Sequence, residues 1–175
     1  MSSPRIAATV ALAALLLGGP AVALAQHDSV AGMAMPGHVM IPKGAIYTEA
    51  DVLFMQGMIA HHAQAIYMSR LAAAHGANPR VTKFAIKIDQ SQIAEIRIMQ
   101  EWLRRYSQFA PDTGSWRTMT MPGMLTAALS MVKDLFATPR AGQEVDVSVF
   151  ANDVVSVQTA EIGVMQQMIG QLPGN

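Results

Sequence analysis

Two adjacent histidines between methionines are the first feature of this chain that could do chemistry. The segment 58–68 reads MIAHHAQAIYM, so His61 and His62 follow Met58 by three and four residues. Side chains at those spacings are neighbours on the surface of a helix. Neutral imidazole and thioether are ligands that suit copper, and the soft thioether favours Cu(I) over Cu(II). The segment therefore indicates a candidate copper site.

Further methionines, a histidine and a carboxylate extend this candidate site. Met55 adds a thioether on the His62 side, and the predicted inward face of the second helix adds a carboxylate and another thioether. His61 and His62 project about 100° apart on a helix, so they cannot both face the bundle axis squarely. The full candidate set is His61, His62, Met58, Met68, Met55, His75, Glu95 and Met99.

Two carboxylates lie on the predicted inward faces, and a buried carboxylate must be paired, hydrogen-bonded or protonated. For Glu95 we expect a contact with His61 or His62, either as a direct metal ligand or through a hydrogen bond to the ligating ring. The alternative is a polar clamp with Gln92 or Gln158 that sets the helix register. We prefer the clamp for Glu161, whose half of the chain lacks the histidines.

The same residues also allow an interpretation without metal. A histidine on an apolar helical face is often a packed or hydrogen-bonded residue, and methionine fills gaps in ordinary cores. The protein would then be a metal-free interaction module of the cell envelope, with the His pair as a structural core element. Copper is favoured because the chain has 14 methionines and no cysteine, whereas zinc would be expected to recruit thiolate or carboxylate.

Composition excludes some partner classes. The 175 residues include 12 Lys+Arg and 12 Asp+Glu. Balanced charge favours neither nucleic acid nor acidic lipid as a partner. The length predicts one domain with a proper core. The expected partners are a metal ion and copper-handling proteins, with the oligomeric state left open.

The N-terminus predicts export. Residues 1–25 carry one early arginine, an apolar run and the sequence Ala23-Leu24-Ala25, which together resemble a cleavable signal peptide. We expect a periplasmic or secreted protein with no stable membrane insertion after cleavage. Residues 26–47 contain Gly, Pro, Met and His without a sustained period, which predicts a flexible tail. That tail is either a low-specificity metal-capture arm or a plain linker.

Helical periodicity accounts for the rest of the chain. A first helix should begin near residues 48–51, with an inward stripe that continues through Met68 to His75. Gly76 to Pro79 should end it and start a second helix. A third is predicted over about 125–136 and a fourth over about 145–169, with Val157 on its inward face. Residues 48–175 are therefore predicted to form an all-α four-helix bundle.

An internal repeat relates the two halves. The segment 92–100, QIAEIRIMQ, matches 158–166, QTAEIGVMQ. This predicts two helix hairpins related by a pseudo-twofold axis. In the same register the His pair falls on Ala127 and Ala128, so the second hairpin lacks the imidazoles.

Enzymatic patterns are absent from the sequence. A di-iron carboxylate bundle needs Glu-x-x-His pairs, and none occurs. No cysteine nucleophile, G-x-S-x-G elbow or phosphate-binding glycine loop is present either. We expect binding rather than catalysis, and a metal oxidase is the least favoured hypothesis. Trp102, Trp116 and Tyr106 are expected to be packing residues.

A known family shares these motifs. The pattern Phe-x-x-x-Met-Ile-x-His-His-x-x-Ala-Ile-x-Met, with Gln-x-x-Glu-Ile-x-x-Met downstream and a Met-Pro-Gly-Met turn, resembles the bacterial family called "domain of unknown function 305". The resemblance covers nearly all of the predicted domain. It implies an exported, ferritin-like four-helix bundle, some members of which bind copper through Met and His and aid copper tolerance. Many relatives repeat Met-Ile-x-His-His in the last helix. This chain has Val154-Val155-Ser156-Val157-Gln158 there, which does not support a second, symmetric site.

Overall fold

The computed structural model describes residues 39–114 and 124–171, and these ranges contain four helices and no strand. The helices are α1 (Glu49–Ala74), α2 (Pro79–Arg105), α3 (Met124–Ala137) and α4 (Val145–Ile169). α1 packs against α2 and α3, and α3 packs against α4. The prediction of an all-α four-helix bundle built from two hairpins is confirmed. The predicted signal peptide, most of the tail, and Trp116 lie outside the described residues.

A reciprocal cap starts α1 where the sequence predicted it. The Thr48 backbone N–H donates to Oδ2 of Asp51 at 2.7 Å, and the Asp51 N–H donates to Oγ1 of Thr48 at 3.3 Å. This is a capping box, which satisfies backbone donors that have no partner within the helix. Asp51 is fully buried, because its other carboxylate oxygen contacts a distant part of the chain.

The contact of Oδ1 of Asp51 shows how the helices run relative to one another. Oδ1 of Asp51 accepts the Gly142 N–H at 2.6 Å, so the start of α1 lies beside the end of α3. Trp102 near the end of α2 donates its Nε1–H to Glu144, the N-cap of α4, at 3.0 Å. Each hairpin is antiparallel, so the chain must return from the end of α2, beside the start of α1, to the first residue of α3, which lies about halfway along α1. A single long crossover of this kind is the connectivity of ferritin-like folds.

An aromatic cluster closes the end of the bundle where α1 begins. Tyr106 donates its hydroxyl to Glu144 at 3.2 Å, and its ring contacts Tyr47 and Trp102. Burial raises the pKa of Tyr106 above its usual value, and the Glu144 carboxylate raises it further. The expectation that Trp102 and Tyr106 are packing residues is confirmed.

The internal repeat occupies equivalent core positions. Gln92 and Gln158 are both buried, and so are Ala85 and Ala151. Ala128, which falls on His62 in the same register, is also completely buried. At the position where the first hairpin buries the imidazole of His62, the second hairpin therefore buries only the methyl group of Ala128.

The inward stripe of α1 ends earlier than predicted. Met68 is 50% exposed, and His75 lies exposed beyond the last residue of α1. The 26 residues of α1 span about 39 Å and the 14 residues of α3 span about 21 Å. Because α3 ends beside the start of α1, its described part reaches only about the middle of α1. The prediction that the stripe continues inward to His75 is therefore wrong.

One inward residue of α4 was also mispredicted. Val157 is 36% exposed, whereas Gln158 is buried. Both spacings from the buried Val154, three and four residues, are compatible with one helical face. Because Val157 is apolar, the sequence suggested the three-residue spacing, but α4 packs so that Gln158, at the four-residue spacing, is the buried residue.

Among the described residues, no helix combines the length and apolar character that a membrane crossing requires.

Candidate metal site and adjoining cleft

His62 and Glu95 form a polar contact between α1 and α2 inside the bundle. Nε2 of His62 lies 2.5 Å from Oε2 of Glu95, and the histidine is completely buried. The predicted contact between Glu95 and the histidine pair is confirmed, and His62 is the member that makes it. A carboxylate oxygen accepts, so Nε2 carries the hydrogen of this bond. In the neutral ring, Nδ1 then holds the lone pair.

The second nitrogen of the His62 ring is left in the protein interior. Nδ1 is buried and has no hydrogen-bond partner among the described residues. The Phe150 ring of α4 lies on one side, with its centroid 6.4 Å from that of the imidazole. A metal-binding histidine usually donates the N–H of one ring nitrogen to a carboxylate or carbonyl and binds the metal through the other nitrogen. The surroundings of His62 match this arrangement, with Nδ1 as the nitrogen available to a metal.

Thioethers occupy the adjacent layer of the same hairpin. Met58 precedes His62 by four residues on α1, and Met99 follows Glu95 by four residues on α2. Because α1 and α2 are antiparallel, these shifts move both methionines one turn in the same direction from the His62–Glu95 pair. Met58 and Met99 are completely buried, and Met55 is nearly so. The fold therefore buries these thioethers in the core, within about two turns of the His62–Glu95 pair and on the same side of it.

The remaining candidates lie elsewhere. The His61 ring is turned by 60° from that of His62, with 5.8 Å between centroids, and it lines a cleft beside the hairpin. Met68 lies on the wall of that cleft. His75 lies one residue beyond the end of α1, whose last residue is itself about 18 Å from His62 along the helix. Within residues 39–114 and 124–171, no three His, Asp or Glu side chains form a group that could hold a metal ion. This statement concerns nitrogen and oxygen ligands, and methionine sulfur is a separate type of ligand.

The cleft was not predicted from the sequence. It has a volume of about 440 Å³ and lies between the second half of α1, the first half of α2 and the second half of α4. None of its described lining residues comes from α3. Most of the lining is apolar, and the polar residues are His61, Ser69, Gln92, Gln158 and Glu161. The repeated glutamines were the one sequence signal that could have located it.

Gln92 and Glu161 do not form the predicted clamp. Gln92 is 1% exposed, and neither atom of its side-chain amide has a hydrogen-bond partner among the described residues. Burial raises the pKa of Glu161 above its usual range, and the negative charge of Glu95 raises it further, while Lys87 lowers it. The polar clamp predicted for Glu161 with Gln92 or Gln158 therefore does not form through Gln92, and the alternative clamp of Glu95 with Gln92 does not form either.

One comparison with known proteins gave a match. A family model described as "Domain of unknown function (DUF305)" matches residues 51–134. Neither a curated protein nor a solved structure matches the chain. The matched range contains nearly all of α1, all of α2 and most of α3, and it ends before α4. It is therefore narrower than the resemblance predicted. The resemblance to the DUF305 family is thus confirmed over residues 51–134.

Proposed function

We propose that this protein binds copper in its first hairpin, preferentially as Cu(I), and sequesters or transfers it outside the cytoplasm. The observation that carries the proposal is the His62 ring, which Glu95 holds through Nε2 while Nδ1 stays buried without a hydrogen-bond partner in the described residues. This nitrogen is the proposed imidazole ligand. The proposed function is binding, with no catalytic step.

The neighbouring side chains suit a soft monovalent cation. Thioethers favour Cu(I), and those of Met58 and Met99 lie one turn from the His62–Glu95 pair. Desolvating a cation is costly unless a nearby charge compensates it. Glu95 supplies a negative charge beside the ring without occupying the proposed ligand atom. Glu95 is thus proposed to orient the imidazole and to balance the charge of the ion.

The proposed location rests on the N-terminal sequence. Residues 1–25 have the pattern of a signal peptide, and thioether ligation without cysteine does not depend on a reducing compartment. Outside the cytoplasm the protein would buffer copper or pass it to a copper-handling protein. Such a transfer requires reversible binding, which a site built largely from neutral ligands allows.

A Cu(I) competition titration against a colorimetric chelator tests the proposal. His62→Ala should weaken copper binding at least about tenfold, a loss of about 1.4 kcal/mol. His75→Ala is the matched control, because it removes an exposed imidazole from the same segment and should leave the affinity unchanged. Equal affinity in wild type and the His62→Ala/His61→Ala double variant would refute the proposed site.

A metal-free interaction module is the second candidate function. The observation that favours it is the same His62–Glu95 hydrogen bond, which by itself links α1 to α2 inside the core. Under this alternative the histidine substitutions lower the Tm in metal-free buffer, and copper raises the Tm of neither form. Under the copper proposal, copper raises the Tm of wild type, because a ligand that binds only the folded state stabilises it.

A further inference from the structure

The cleft beside the hairpin has an apolar wall and a polar inner end. Met165, Met168 and Phe84 belong to the wall, whereas His61, Gln92 and Glu161 lie nearer the middle of the bundle. From His61 to Ala72 the cleft extends over eleven residue steps of α1, or about 17 Å. Its volume of about 440 Å³ is in the range of small-molecule sites.

Gln92 indicates that the polar end is a binding surface. A buried amide normally has hydrogen-bond partners, and leaving one without them is costly. Both polar atoms of the Gln92 side chain lack partners among the described residues although the side chain is almost completely buried. A ligand with a hydrogen-bonding head group would supply a partner for at least one of these atoms.

The charges around this end select the sign of the head group. Glu161 lines the cleft, and the Glu95 carboxylate on α2 is close enough to act on it. Lys87 on α2 is the cation that acts on Glu161, and it is exposed. An anionic head group would bring a third negative charge close to the Glu161 and Glu95 carboxylates, where little water is available to solvate it. A cationic head group would instead compensate the charges of these two carboxylates.

We propose that the cleft binds a small amphiphilic cation, a protonated amine on an unbranched apolar chain. The ammonium group donates hydrogen bonds to the Glu161 carboxylate and to Oε1 of Gln92. The chain lies along the apolar wall and covers Met68 and Ile169, which are half exposed in the described structure. This site is separate from the proposed copper site, because its charged contact is Glu161 on α4, whereas the copper site uses His62 of α1 and Glu95 of α2, neither of which lines the cleft.

Binding of the amine is coupled to the protonation of Glu161. The groups that act on Glu161 or share its end of the cleft are Glu95 and Lys87 of α2 and His61 of α1. The ionised carboxylate is the form that binds an ammonium group. Affinity for the amine should therefore rise as the pH rises through the titration of Glu161, with a proton released on binding.

Calorimetric titration with dodecylamine, dodecanol and dodecanoate tests the proposal, with the amine and the carboxylate below their micellar concentrations and the alcohol below its solubility limit. The amine should bind the purified protein at least about tenfold more tightly than the alcohol or the carboxylate, because a hydrogen bond to a charged group contributes more than a neutral one. Equal or tighter binding of dodecanoate would overturn the proposal, as would the absence of saturable binding by the amine.

Three variants locate the site. Glu161→Gln should weaken amine binding at least about tenfold, abolish its pH dependence and leave dodecanol binding unchanged. Glu101→Gln, the same change at an exposed position of α2, is the control. Ala72→Phe should weaken amine and alcohol alike, because it fills the cleft. An amine affinity that Glu161→Gln does not change would refute the proposed contact.

The two proposals can fail separately. The same Glu161→Gln protein should retain its Cu(I) affinity in the chelator competition, and His62→Ala should retain amine binding. Loss of amine binding in His62→Ala with an intact fold, judged from its circular dichroism, would contradict the assignment of the amine to this cleft.

Discussion

His62 of α1 and Glu95 of α2 are joined by a bond of 2.5 Å between Nε2 and Oε2, in the interior of the first hairpin. The bond orients the imidazole so that Nδ1 lies among buried side chains. His61, the next residue, lines the cleft instead. One helical step of about 100° thus directs two identical side chains to two different environments.

Removing the charge of Glu95 should weaken copper binding. Glu95→Gln keeps an oxygen that can accept from His62, but it loses the negative charge that holds the ring and compensates the ion. Substituting the hydrogen-bond partner of a metal-binding histidine typically lowers affinity about 10- to 100-fold. A Cu(I) competition titration measures the loss, with the exposed Glu101→Gln as the control. Unchanged affinity would show that Glu95 has no part in the site.

The same pair should stabilise the fold without metal. Glu95→Ala leaves the buried His62 N–H without an acceptor, and we expect the free energy of unfolding to fall by about 1–3 kcal/mol. Urea denaturation in chelator-treated buffer measures it. Combined with His62→Ala, the two changes should be less than additive by at least about 0.5 kcal/mol. Simple additivity would mean that the pair contributes no coupling.

Glu161 should make the protein less stable as the pH rises. Burial and the neighbouring Glu95 raise its pKa in the folded state, so the folded protein binds more protons than the unfolded chain between the two pKa values. The free energy of unfolding then decreases with rising pH through that interval. Glu161→Gln should therefore gain Tm relative to wild type at about pH 7 and gain less at about pH 4. A gain that is the same at both pH values, measured by calorimetry, would contradict the burial of this carboxylate.

Asp51 should contribute more to stability than its position in a first helical turn suggests. Asp51→Ala removes the acceptor of both the Thr48 and the Gly142 N–H groups. The loss should be about 1–3 kcal/mol for the buried Gly142 N–H alone. Glu49→Ala removes an exposed acidic residue of the same turn and should change the stability by less than about 0.5 kcal/mol. Similar losses in both variants would indicate a helix-dipole effect instead.

The helices and the methionine layer were predictable because their causes are local. Periodicity, the Thr48 to Asp51 cap and the Gly76 to Pro79 break act within one or two turns, and the repeat indicated which helices pair. The placement of Met58 beside His62 follows from helical spacing alone. Whether these side chains bind copper stays a prediction.

Other features depended on contacts between distant parts of the chain. Sequence alone left open which histidine meets Glu95, because adjacent residues of one helix are equivalent until a second helix packs against them. The exposure of Met68 and the presence of the cleft depend on where α3 ends, and the bond between Asp51 and Gly142 sets that position. Local sequence determined the elements and their ligand types. The direction and length of α3 decided which of those side chains the core encloses.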